Sequence, residues 1–258
     1  FSTGSVHCGW VLLGAMIWPN DEPGSGVPDM RTFLLPRSDY TIDRDAWHTF
    51  GLQGTGSHDI IVDDVFVPDY RTHRAVDGFL CQNPGQKENT GPLYTLPWAQ
   101  VFVRSVSTAA FGGAKAALEA AKGIMASRVS TNTGKASKAD PFLQAAVAKA
   151  YAQIQEMETT QRVTFEDLMG YAERGEAIPM EKRALYAYNS SNVVRRLVDL
   201  IDDIMQQFGG RAIYTTSEII QPWLDLNAGR AHVANDPNNR FGDVVGSMFG
   251  EPPAFTFL

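Results

Sequence analysis

A chain of 258 residues with 44% hydrophobic content can bury a sizeable core in one or two domains. Its 22 Lys and Arg stand against 29 Asp and Glu, and a formal charge of −7 supplies no field to attract nucleic acid or an anionic membrane surface. No apolar run approaches the ~20 residues of a membrane-spanning helix, and Cys8 and Cys81, in no metal-binding spacing, suit free thiols in a reducing, cytoplasmic compartment better than a disulfide framework.

Phe1 begins in mid-pattern, without an initiator Met, a signal segment or a helix cap, which reads as a fragment of a longer protein. Ser2 and Thr3 precede Gly4, where a hydroxyl residue can simply close a turn. Val11 to Ile17 has the length and flanks of a buried strand. Pro19 to Pro28 is a polar loop, and Arg31 to Pro36 and Tyr40 to Arg44 are further short strands, so the first third reads as antiparallel β structure. Trp47 to Thr72 follows, with Gly51, Gly54 and Gly56 in a turn that lets the backbone approach another group closely. His58 to Val67 then reads as a long strand, stopped by Pro68, which has no N–H to donate. His7, His48 and His58 suit structural positions beside strands.

Val76 to Pro97 lacks periodicity and reads as a long connecting loop, at whose end Tyr94 and Trp98 could cover an aromatic ligand or pack on one another. An alanine-rich helix spans Trp98 to Ser127, thin enough for another helix to approach closely. Asp140 and Pro141 open a second helix, with Leu143, Val147, Ala150, Ile154 and Met157 on one stripe. Glu181 to Phe208 forms a third, with Val194, Leu197, Ile201, Ile204 and Phe208 on one face and Arg195, Arg196, Asp199, Asp202 and Asp203 largely opposite. Gly209 and Gly210 end it, and Thr215 with Glu218 has the spacing of a capping box for the next helix. A glycine pair before a helix N-terminus could seat a pyrophosphate, although such a pair alone usually serves as a C-cap. Trp223, Asp225, Asn227, Arg230 and His232 follow, His232 near a helix C-terminus whose dipole favours a histidine. These readings predict a β domain over 1–75, a connecting loop over 76–97 and a helical domain over 98–258, with about four long helices between Trp98 and about Asn235.

Gly51 to Pro68, GLQGTGSHDIIVDDVFVP, resembles the G-x-R-G-T-x-S-x-x-V-x-x-x-x-V-F-V-P signature that closes the β domain of the acyl-CoA dehydrogenase fold, particularly in its two-component flavin-dependent monooxygenases. Gln53 stands where many members carry Arg. Phe1 to Gly4 resembles the aromatic-x-[Ser/Thr]-x-Gly element that meets the flavin at N5 and O4, which implies Ser2 as flavin-binding and catalytic. Gln206, Gly209 and Gly210 resemble the Gln-x-x-Gly-Gly flavin element, and Arg128 with Ser130 the Arg-x-Thr that reaches the flavin of a neighbouring subunit. AGRAHVAND, with His232, resembles the tail of the flavin hydroxylases acting on phenols, whose histidine lies beside the flavin. Acyl-CoA dehydrogenases usually present a carboxylate there, and no Glu occurs between Asp225 and Asp236.

The resemblance implies an α+β, acyl-CoA dehydrogenase-like fold, with an N-terminal helical domain outside this chain and a C-terminal four-helix bundle. It also implies a homotetramer and no metal. Reduced FMN or FAD would come from a separate NAD(P)H:flavin reductase, since no nicotinamide fingerprint follows a strand. With O2 it would form a C4a-hydroperoxyflavin that hydroxylates a small phenolic substrate. Ser2 would hold N5–H, His232 would assist proton transfer, and Tyr94 and Trp98 would line the substrate. Two rivals are an acyl-CoA dehydrogenase oxidising a thioester with FAD, and a non-catalytic remnant whose helices serve only assembly.

Overall fold

A computed structural model describes residues 1–129, 134, 136–254 and 258; Ser130 lies outside the described residues. The strands are β1 (Trp10–Ile17), β2 (Asp29–Pro36), β3 (Thr41–Asp43), β4 (Asp59–Ile61) and β5 (Thr72–Arg74). The helices are α1 (Ala75–Phe79), α2 (Gly85–Glu88), α3 (Trp98–Ser127), α4 (Pro141–Arg174), α5 (Met180–Phe208), α6 (Ile220–Arg230) and α7 (Phe241–Met248). Residues 1–49 and 53–99 form one compact unit; Phe50–Leu52 belong with the helices from Gln100 onward in another.

In the β unit, β2 pairs antiparallel with both β1, from Trp10 opposite Pro36 to Ile17 opposite Asp29, and β5. β3 and β4 pair separately, Thr41 opposite Ile61. Val11, Leu35 and Tyr40 are the buried centre, with Leu13, Phe33, Ile42, Ile60, Val65 and Val67 against them. Three expectations are corrected here. β1 is an edge strand and only Val11 is buried, while Leu12 and Met16 on alternate positions are exposed. The long strand expected from His58 to Val67 is reduced to β4, because Asp64 takes a positive φ of 47° that breaks the ladder, and Val65 and Val67 fold onto the small core instead. The connecting segment is ordered into α1, α2 and a 3₁₀ turn at Pro92–Thr95; helices this short leave no periodic signature in sequence.

The helical unit is built around α5, which packs against α4, α6 and α7. Its stripe is realised: Leu197, Ile201 and Ile204 are fully buried, with Val194 and Phe208 nearly so. Ala114, Ala117 and Ala121 of α3 join the same core, where small side chains permit close approach. α4 starts where Asp140 accepts hydrogen bonds from the Phe142 and Leu143 amides, and ends at Gly175 in the left-handed region. Among the described residues four helices, α3 to α6, lie between Trp98 and Asn235 as expected, three of them of 29 to 34 residues and α6 of only 11, and α7 lies beyond Asn235. The expected capping box does not form. α6 begins at Ile220, and Ile219 caps it without a side-chain hydrogen bond.

Candidate functional site

α3 and α5 end at a common cleft. Arg128, one residue past α3, is held by its amide to the Ile124 carbonyl (3.0 Å) and by its carbonyl, which accepts from the Ser137 amide (2.8 Å). Its Nη1 donates to the Phe208 carbonyl at 2.8 Å, at the last residue of α5. α5 stops there because Gly209 takes φ 64° and ψ −156°, a region open essentially to glycine alone. The resulting cleft of about 540 Å³ is lined by Arg128, Arg211, Phe208 and Tyr214, with Ser127, Thr216 and Ser217 adding hydroxyls. Arg128 and the Gly209–Gly210 turn, predicted from segments 80 residues apart, thus share one place; Gln206 is exposed in the turn before it. Arg211, Tyr214, Thr216 and Ser217 went unassigned in the sequence reading, and a guanidinium directly after a glycine pair is the signal that could have found them. α6 starts well past the glycine pair, so the pyrophosphate seat at a helix N-terminus is not realised. Two guanidiniums line the open cleft instead, a donor set that fits the phosphate of a flavin nucleotide.

Phe50–Leu52 of the glycine stretch lies on α6. A Cβ on Gly51 would stand 2.3 Å from the Leu224 carbonyl oxygen, so the close approach predicted for these glycines is made to protein backbone. Leu52 adopts φ 55° and its amide donates to Asp225 Oδ1 at 2.6 Å, a bond that holds a conformation L-residues disfavour.

His232 follows the end of α6. Its Nδ1 accepts from the Ala234 amide at 3.1 Å, and its ring centroid lies 6.2 Å from that of Phe102 on α3. An amide can only donate, so Nδ1 carries no proton and a neutral imidazole has its proton on Nε2. Burial lowers the pKa of His232 below its ordinary value, in keeping with the neutral form.

In the β unit, the Ser2 amide donates to the His58 carbonyl at 3.0 Å. A hydroxyl chain runs beside it: Thr3 Oγ1 and Ser57 Oγ are 2.8 Å apart, and Thr55 Oγ1 and Ser57 Oγ 2.9 Å. Tyr94 is exposed after α2, its carbonyl accepting from Gln86 Nε2 at 2.8 Å, and Trp98 opens α3 with its Cβ side near Gly78. Among the described residues no cluster of His, Cys, Asp and Glu could hold a metal ion, and no helix is long and apolar enough to cross a membrane.

Residues 105–237, just over half of the chain, match the family described as acyl-CoA dehydrogenase, C-terminal domain. The chain belongs to the acyl-CoA dehydrogenase family. It is 32% identical over 262 residues to the flavin-dependent monooxygenase oxygenase subunit HsaA of Rhodococcus jostii (strain RHA1), covering 100% of this chain and 66% of that protein. It is 31% identical over 256 residues to a pigment production hydroxylase of Rhodococcus erythropolis, covering 98% and 64% respectively. The crystal structure of 3-HSA hydroxylase from Rhodococcus sp. RHA1 matches with a TM-score of 0.89 at 30% identity, over 100% of this chain and 65% of that one. The chain therefore spans less than two thirds of the length of these relatives. Within the family framework the carboxylates flanking His232 are both committed to backbone. Asp225 Oδ1 accepts from the Leu52 amide and from Gln221 Nε2, and Asp236 Oδ1 accepts from the Asn238 amide at 3.0 Å.

Proposed function

We propose that this chain acts in the oxygenase component of a two-component flavin-dependent monooxygenase, hydroxylating a small phenolic substrate with O2. The observation that carries this reading is His232, an imidazole with its proton on Nε2, standing between two aspartates that are tied to backbone amides. A thioester dehydrogenase needs a free carboxylate base there; an oxygenase needs a group that can hold or pass a proton. The oxygenase subunit and hydroxylase names of the relatives support the same choice.

Reduced FMN or FAD, delivered by a separate NAD(P)H:flavin reductase, would supply the activation of O2. Arg128 and Arg211 would hold its phosphate, with Gly209 and Gly210 letting the backbone pass close and Gln206 beside them. The fold family's mode of assembly supports a homotetramer in which Arg128 serves flavin bound mainly by another subunit, working in the cytoplasm. Ser2 is assigned to the flavin, and Tyr94 and Trp98 to the aromatic substrate, on the resemblance alone. Because the Ser2 amide is engaged with His58, its hydroxyl is the group left to act. His232, with Nδ1 occupied, donates from Nε2, so it stabilises a developing negative charge as a hydrogen-bond donor more readily than it removes a proton.

His232→Ala tests the assignment. Supplied with reductase, NADH and reduced FMN, the variant should retain flavin affinity while hydroxylated product per folded molecule falls by ~10² to 10⁴ and peroxide accumulates. Unchanged product per NADH consumed would remove His232 from the chemistry.

A further inference from the structure

On another stripe of α3 from Phe102, a second cleft of about 450 Å³ opens against α4. Val101, Arg104, Thr108 and Phe111 recur at helical spacing and line it from α3, and Phe165 lines it from α4. Arg104 is only 7% exposed, yet among the described residues it has no carboxylate partner. Its Nη1 donates to the Gln100 carbonyl (3.0 Å) and Gln100 Oε1 (3.1 Å), and its Nη2 to Thr164 Oγ1 (3.2 Å). A guanidinium has five N–H donors. The Nε–H is buried without a hydrogen-bond partner, and one Nη2–H remains.

A buried charge ordinarily comes with a counter-charge, because its desolvation is otherwise uncompensated. Desolvation here is strong enough to bring the Arg104 guanidinium down to about 10. The other charges on the cleft are already matched: Glu158 pairs with Lys115, and Arg162 with Glu166 at 3.0 Å. The unmatched feature is thus one planar cation, 5.7 Å from the Phe165 ring and among apolar walls. An ion with a planar carboxylate head and an aromatic body has the complementary chemistry, through the guanidinium fork and the ring faces.

We propose that the α3–α4 cleft is a binding site for a small aromatic carboxylate, its carboxylate seated on Arg104 and its ring against Phe111 and Phe165. Nε is shielded from solvent in this structure, so the guanidinium rotates slightly as the anion seats. The proposal is independent of the oxygenase reading, which rests on His232 and the Arg128 cleft.

Benzoate and its neutral analogue benzamide are the probes, titrated by calorimetry and thermal shift. Benzoate should bind and raise the melting temperature of the parent, and benzamide should not. Arg104→Met should weaken benzoate binding by roughly ten- to a hundredfold, as expected for losing charge-assisted hydrogen bonds. Without benzoate it should melt at or above the parent temperature, since an apolar side chain replaces an unmatched buried charge. Arg104→Lys, which keeps the charge but not the fork, should also bind benzoate more weakly, whereas His232→Ala should bind as the parent does. Absence of benzoate binding by the parent, equal binding of benzoate and benzamide, or parental affinity in both Arg104 variants would overturn the proposal. So would loss of benzoate binding in His232→Ala, which would place the ligand elsewhere. An oligomer that dissociates in Arg104→Met without any benzoate binding by the parent would assign the carboxylate to a second copy of the chain and equally overturn it.

Discussion

The helical unit buries Leu197, Ile201 and Ile204 of α5 completely, inside a core shared by α3, α4, α5 and α6. In the β unit the buried core cluster among the described residues is small, Val11, Leu35 and Tyr40, and Leu12 and Met16 of its edge strand are exposed. The difference separates two ways of holding functional groups. In the helical unit a rigid core fixes helix ends, and the candidate residues Arg128, Gly209 and His232 sit just past the ends of α3, α5 and α6. In the β unit Ser2 is placed by a backbone hydrogen bond to His58 and by turns with little packed mass behind them.

That contrast is broken or sharpened most strongly by two matched truncations. Leu197→Ala should cost about 2–5 kcal/mol in denaturant unfolding, whereas Leu35→Ala should fall near the bottom of that range, because a thin sheet collapses more easily around a lost side chain. Equal costs would mean that the two cores are equally unforgiving. Next in size is Gly51→Ala, whose methyl would collide with the Leu224 carbonyl; a loss of about 1–3 kcal/mol is expected from overpacking against backbone. A loss below about 0.5 kcal/mol would show that Phe50–Leu52 is not held on α6.

The smallest effect is the pH dependence from His232. Burial lowers its folded pKa, so the unfolded chain binds the extra proton first and stability rises with pH. The contribution is present above the unfolded value of about 6.5 and lost as pH falls below it. His232→Gln should therefore show a smaller drop in melting temperature between neutral and mildly acidic buffer than the parent. An identical drop would mean that burial does not hold His232 below its ordinary pKa.

Local rules carried the helical half. The Asp140–Pro141 start, the α5 stripe and the Gly209 stop depend on side-chain periodicity and on backbone preferences within a few residues, and each is where the pattern places it. The same rules overextended the strand after His58, because the positive φ at Asp64 is a conformation that the apolar pattern around it does not announce. Residue types also carried the meeting of Arg128 with the turn after α5, but only through resemblance; spacing alone left that glycine pair as a cap.

Residue pattern by itself determined the α+β division, the helical core and the absence of a Glu beside His232, since all three are properties of short stretches of chain. Tertiary structure decided the rest. Asp225 became a backbone anchor because Leu52, 173 residues away, brought its amide there. His232 took a single tautomer because the turn after α6 pointed the Ala234 amide at Nδ1. Arg104 remained an unmatched buried charge because the carboxylates around its cleft found other partners. Such outcomes depend on which polar groups meet when distant segments pack, and the cost of leaving one unsatisfied arises only after water has been removed.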